Sequence, residues 1–221
     1  GFATRVAEAG FTVWMPSLFG APGAPYSAGN IGRQIAGACV SREFSILARH
    51  EASPVTTALR SLARQLHGEV GGPGVGAIGM CLTGNFALTM LLEPAVLAPV
   101  LSQPSLPFAL SPSHAAALHA SPEAVDCAKR RARGEGLRVL GLRFTHALMC
   151  PRARFDTLRR ELGDAFEAIE IDSSPGNAHG IPITSHAVLT KDLVDHHGHP
   201  TMVALARVLA FLDEQLRPAS N

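Results

Sequence analysis

The segment Gly79-Met80-Cys81-Leu82-Thr83-Gly84 lies between two apolar stretches, Val75–Met80 and Asn85–Leu92. The first reads as a buried strand and the second as a helix. A thiol at such a strand-to-helix junction is placed for nucleophilic attack on a carbonyl carbon. The segment departs from the nucleophile-elbow string G-x-S-x-G in two ways. Cys81 stands where serine is usual, and the second glycine comes one place late, with Thr83 at its expected position. The physical requirement is still met, because a sharp turn needs small neighbours if its central side chain is to stand clear. Gly79 supplies the close approach and Gly84 the room at the helix start. The helix that follows directs the positive end of its dipole at Cys81 and favours thiolate. The backbone N–H of Leu82 then points where an oxyanion would form. The alternative is a buried cysteine in a tight turn.

A thiol nucleophile needs a base, and the chain has ten histidines. In an elbow architecture the base lies after the last strand and before the final helix. Two groups fall there, His179 with His186, and His196, His197 with His199. His186 follows Ser185 in an otherwise apolar stretch, whereas His199 directly precedes Pro200 and fits a helix cap. Asp195-His-His-Gly-His199 could hold a metal, but it reads more simply as a solvated loop without matched second ligands. No metal or cofactor is expected. Cys39, Cys81, Cys127 and Cys150 form no CxxC pair. With no charged-then-apolar leader in view, they predict reduced thiols and a cytoplasmic location.

The elements that must position these groups alternate along the chain. A helix runs from Phe2 to Ala9, with Gly10 as its cap, and Phe11–Met15 reads as a buried strand. Ser17–Asn30 is loop, and Ile31–Leu47 is apolar and partly helical. Ser53-Pro54 opens a helix in the cap-then-proline order and runs to about His67. After Val75–Met80 and its helix come a strand at Val96–Leu101 and a helix from Ser121 to about Gly134. A strand at Leu137–Phe144 and a helix at Pro151–Leu162 follow. Phe166–Asp172 alternates like a half-buried strand, Ser173–Thr184 is a long loop, and Thr201–Leu216 is the last helix. This order predicts one α/β domain over residues 1–221, with a mostly parallel sheet covered by helices on both faces.

Composition removes several function classes. Apolar residues are 47% of the 221 and charged residues 17%, too apolar for a disordered chain. A net charge of +1 leaves no footprint for nucleic acid or an anionic membrane. The apolar runs are broken by Glu93, Pro94 and Pro99 before they could span a bilayer. Gly71-Gly-Pro-Gly-Val-Gly76 precedes its strand and lacks GK[ST], so it is a turn rather than a phosphate loop. Lys129-Arg-Arg-Ala-Arg133 complements a helix dipole at its C-terminal end.

The chain resembles the dienelactone hydrolase family of the α/β-hydrolase fold. The resemblance is carried by Ala9–Phe19, Ser41-Arg-Glu-Phe44, Gly76–Gly84 with cysteine at the elbow, Gly141-Leu-Arg-Phe-Thr145 and His186-Ala-Val-Leu-Thr190. It implies that Cys81 is the nucleophile, His186 the base, and Arg42 the group that holds a substrate carboxylate. It also implies a small lactone or ester substrate and an acyl-enzyme intermediate. Two departures stand out. The acid of the family's triad aligns with Ala147, and no Asp or Glu lies between Gly136 and Arg154; Asp156 and Asp172 are the substitutes to consider. The family also has strands before the helix that here begins at Gly1, one loop of which gives a second oxyanion N–H and an acidic partner for the thiol. The expectation is therefore an α/β-hydrolase-like sheet without its N-terminal strands, in a chain truncated at its start. A catalytically degenerate relative with a binding role is the alternative. Another Cys-elbow fold, of the amidotransferase type, fits the histidine position less well.

Overall fold

The computed structural model describes residues 1–18 and 53–217. Three of its helices begin with the same short-range chemistry. Ser53 accepts from the Val55 N–H at 3.2 Å and opens α2 (Pro54–Val70), after the short α1 (Phe2–Glu8). Ser111 accepts from the His114 N–H before α4 (Pro112–Ala116), and Ser121 from the Ala124 N–H before α5 (Pro122–Glu135). In each the hydroxyl satisfies an N–H that the first turn leaves open, and the proline occupies a position that needs no donor. Between α2 and α4 lies α3 (Phe86–Thr89), extended by a 3-10 turn at Met90–Leu92. The last two helices are α6 (Arg152–Leu162) and α7 (Pro200–Leu216). The helix expected over Asn85–Leu92 is thus split, and α4 was not foreseen. Gly136, at φ +67, ends α5 in the left-handed conformation that suits glycine.

Four strands, β1 (Val75–Met80), β2 (Val96–Ser102), β3 (Val139–Phe144) and β4 (Phe166–Ile171), form one parallel sheet in the order β1-β2-β3-β4. Register shows that helices cover both faces. A Cβ on Gly76 would meet Leu212 and Leu216 of α7, whereas one on Gly141 would meet Phe155 of α6. Gly76 pairs with Ala98, and Val100, two places on, pairs with Leu140, so Gly141 faces the other way. All of β3 is buried, as a parallel strand covered on both faces must be. On one side α7 packs across all four strands through Leu205, Val208, Phe211 and Leu212. On the other, Phe155 meets Phe166 edge to face at 5.4 Å. No helix among the described residues is long and apolar enough to cross a membrane.

One expected strand is not formed. Phe11–Met15 makes no strand pairing, and Trp14 and Met15 are 56% and 75% exposed. Strand propensity describes a side chain's fit to a pleated, half-buried surface, and this segment has no neighbouring strand among the described residues to supply one. The basic run in α5 also does more than complement a dipole. Arg131 is buried and donates to the carbonyls of Leu91, Glu93 and Pro94. The Ile31–Leu47 stretch, expected to be partly helical, and most of the stretch 17–30, expected to be loop, lie outside the described residues.

Gly84 is a glycine whose replacement should be felt clearly. A Cβ there would come within 2.7 Å of the Pro104 Cβ and closer still to its backbone, although the local φ of −50° suits any residue. Gly84→Ala is expected to destabilise by about 1–3 kcal/mol through overpacking. Gly134→Ala, which adds its methyl group to open space in α5, should stabilise by about 0.5–1 kcal/mol. Urea denaturation of the two variants checks both signs.

Candidate active site

The turn after β1 explains the displaced glycine. Cys81 adopts φ +53, a left-handed conformation that non-glycine residues seldom take. Thr83 closes the turn, since its Oγ1 accepts from the Met80 N–H at 3.1 Å and donates to the Met80 carbonyl at 3.0 Å. The hydroxyl therefore has a task that glycine could not perform at that position. Gly79 is required because a Cβ would strike the carbonyl oxygens of Thr83 and Gly84. Gly84 is required by the close passage of Pro104 from the loop after β2. Leu82 lies in the first turn of the 3-10 segment Cys81–Thr83, where backbone N–H groups have no partner within the helix. Its side chain joins Phe86, Leu106, Leu18, Val55 and Leu59 in an apolar cluster beside the turn.

His186 reaches this turn from the loop between β4 and α7. Its Nε2 lies 3.3 Å from the Cys81 Sγ, although the two residues are 105 positions apart. The backbone of the loop is folded around Asp192, whose Oδ2 accepts from the N–H groups of His186 and Ala187, each at 2.8 Å. Burial lowers the His186 pKa from its usual value, and Lys191 acts in the same direction while Asp192 opposes them. The imidazole is thereby biased towards its neutral, proton-accepting form. The loop after β2 adds Ser105, which is fully buried, with its Oγ 3.3 Å from the same Nε2.

Neither substitute acid meets the histidine ring. Asp156 is exposed on α6 and pairs with Arg159 at 3.2 Å and Arg152 at 3.7 Å. Asp172 caps its own turn by accepting from the Ser174 N–H at 2.9 Å, a bond that pulls its pKa down. Ala147 is buried in the turn after β3, where its N–H donates to Phe144 and its carbonyl accepts from the Cys150 N–H. The hydrogen bonds of the His186 ring among the described residues are both at Nε2.

The structure thus brings Cys81, Leu82 and His186 together, while Arg42 lies outside the described residues. Two further residues, Ser105 and Asp192, enter the site without having been singled out in the sequence. Asp192 carried one faint signal, an acid six positions beyond the histidine in a loop that must satisfy its own backbone. Ser105 carried none. The other histidines play local parts. His199 caps α7 by accepting from the Thr201 N–H at 3.3 Å, and its ring meets that of His179 edge to face at 5.7 Å. Among the described residues no group of His, Cys, Asp or Glu is disposed to hold a metal. Cys127 and Cys150 are free thiols, and burial pushes the Cys150 pKa up to about 12.

No known protein family, curated protein or solved structure matches the chain.

The lowered His186 pKa fixes the sign of a pH effect. The folded state binds the proton less well than the unfolded state does. Stability is therefore full above the ordinary histidine range and falls as pH drops through the folded value. Between about pH 8 and about pH 5 the wild-type urea midpoint should fall by more than that of His186→Gln, which retains a polar side chain but does not titrate.

Proposed function

We propose that the chain is a hydrolase of the dienelactone hydrolase type, cleaving a small lactone or ester through a Cys81 acyl-enzyme. The observation that carries the reading is the 3.3 Å approach of His186 Nε2 to the Sγ of a Cys81 held at φ +53. A strained, half-exposed thiol against a half-buried imidazole is an arrangement with a plain chemical use.

In the first half-reaction the Cys81 S–H bond breaks and His186 Nε2 takes the proton. Sγ forms a bond to the carbonyl carbon, and the Leu82 N–H is available to the oxyanion that results. Collapse breaks the bond to the leaving oxygen, which receives the proton from Nε2. In the second half-reaction His186 takes a proton from water, the hydroxide adds to the thioester carbonyl, and Sγ departs with the proton returned to it. A substrate carboxylate, held by Arg42, belongs to this proposal through the resemblance alone. No step calls for a metal or cofactor.

The absence, among the described residues, of a carboxylate on the far side of the ring favours a second reading, a degenerate relative with little or no turnover. A triad acid fixes the tautomer of the imidazole and stabilises its charged form, and Ala147 can do neither.

Hydrolysis of small activated esters and lactones distinguishes the two. The hydrolase reading expects turnover that falls by roughly a thousandfold in both Cys81→Ala and His186→Ala. Equal rates in the three proteins would end it. If the loss is confined to the missing acid, Ala147→Asp should raise a weak wild-type activity. No gain, together with no labelling of Cys81 by iodoacetamide at neutral pH, would select the degenerate reading.

A further inference from the structure

We propose that Ser105 is a positioning residue that holds a proton on Nε2 of His186, an inference that rests on the Cys81–His186 reading above. The Ser105 Oγ and the Cys81 Sγ both lie 3.3 Å from that nitrogen. A hydroxyl has a single proton, and that of Ser105 is directed to the Gln103 carbonyl at 2.9 Å. Towards the histidine, Ser105 therefore presents a lone pair. Before proton transfer the Cys81 S–H donates to Nε2. After transfer the S–H bond is broken and the new N–H lies between a thiolate and the Ser105 oxygen. While the Cys81 S–H occupies Nε2, Ser105 gains its hydrogen bond only when the imidazolium is formed; where that S–H is removed, the same lone pair draws the proton of the neutral ring to Nε2.

The placement of Ser105 is rigid. Its N–H donates to the Cys81 carbonyl at 2.9 Å, which ties it to the residue it serves. Gln103 is held at φ +37, with its N–H donating to the Leu142 carbonyl at 2.6 Å. The Pro104 carbonyl between them accepts from Arg154 at 2.7 Å. Asp192 and Lys191 act on the imidazole from its own loop, and Cys81 and Ser105 from the ends of β1 and β2. Since the ring's hydrogen bonds among the described residues are both at Nε2, the hydroxyl does at that atom part of what a carboxylate would do at Nδ1.

Two measurements on the full chain test this. In the first, the pH dependence of iodoacetamide alkylation at Cys81 is followed by mass spectrometry of its peptide. Ser105→Ala should slow alkylation at neutral pH by about ten- to a hundredfold, as expected for losing one acceptor of a charged donor, and move the profile to higher pH. Ser105→Thr, which keeps the hydroxyl, should restore the wild-type profile. A Ser105→Ala profile that coincides with wild type while that of His186→Ala is displaced overturns the role of Ser105 alone. Coincidence of all three overturns the Cys81–His186 reading as well. The second measurement needs no change at Ser105. In Cys81→Ala, labelled with 15N-histidine and held above the histidine range, the neutral His186 ring should carry its proton on Nε2. A ring protonated on Nδ1 overturns the proposal even if Ser105→Ala fails to fold.

Discussion

The backbone of the loop after β2 lies directly against the backbone of the turn after β1, and the candidate site depends on that contact. Gly84 admits Pro104 at a distance no side chain would allow. The Cys81 carbonyl accepts from both Gly84 and Ser105. A non-glycine residue in a left-handed conformation costs about 1–3 kcal/mol and persists only where its surroundings over-determine it. Here the two donors to the carbonyl, the Thr83 staple and the Pro104 contact do so. The same packing aims the Sγ and Ser105 Oγ at a single histidine nitrogen. Strain at Cys81 and convergence on His186 are therefore one geometric fact.

Two buried arginines keep the loops in place from behind. Arg154 is fully buried and has no carboxylate partner among the described residues. It donates instead to the carbonyls of Pro104, Pro107, His114, Ala117 and Met149. Arg143, also buried, holds the carbonyls of Thr145 and Cys150 and pairs with Glu170. Burial pulls the Arg154 pKa down to about 10, which still leaves it a cation at neutral pH. The cost of removing that charge from water is offset by the five carbonyl dipoles, and the loops after β2 and β3 are fixed as a consequence. One of the carbonyls that Arg143 holds belongs to a second cysteine, Cys150. Pushed up to about 12 by burial, it remains a neutral thiol within the core. The position of each cysteine in the turn after its strand thus separates a packing residue from a candidate nucleophile.

Local signals were legible in the sequence wherever the cause of structure is local. Ser53-Pro54 and Ser121-Pro122 mark helix starts because the cap and the proline act within one turn. The strands β1 to β3 are visible as short apolar runs between breakers, and β4 as an alternation of apolar and polar residues. The Cys81 turn is visible because a tight strand-to-helix junction demands small residues at definite offsets. Elements whose stability comes from elsewhere were not legible. Phe11–Met15 has the composition of a strand, yet a strand is a pairing, and pairing is not written in its own residues. Ser105, Arg154 and Asp192 act through carbonyls, N–H groups and one ring nitrogen that are distant in sequence or on the main chain. Apart from the faint signal of an acid six positions beyond His186, nothing in residue type distinguishes them from ordinary loop and surface positions.

The electrostatics of His186 follow from where its acid lies. Asp192 spends its carboxylate oxygen on two backbone N–H groups, so it shapes the loop and reaches the imidazole only through space. A carboxylate hydrogen-bonded at Nδ1 would raise the affinity of the ring for a proton and set its tautomer together. With the acid on the backbone instead, desolvation prevails and the neutral ring is favoured. Such a histidine accepts a thiol proton readily only if something compensates the imidazolium at the moment it appears. The groups placed to do so converge on the other nitrogen, the Cys81 sulfur and a hydroxyl oxygen whose proton is committed elsewhere. Compensation at Nε2 is also the more local solution. In the reaction proposed above it would stabilise the proton at the atom from which the proton next departs, and it draws its rigidity from the loop contact that positions Cys81.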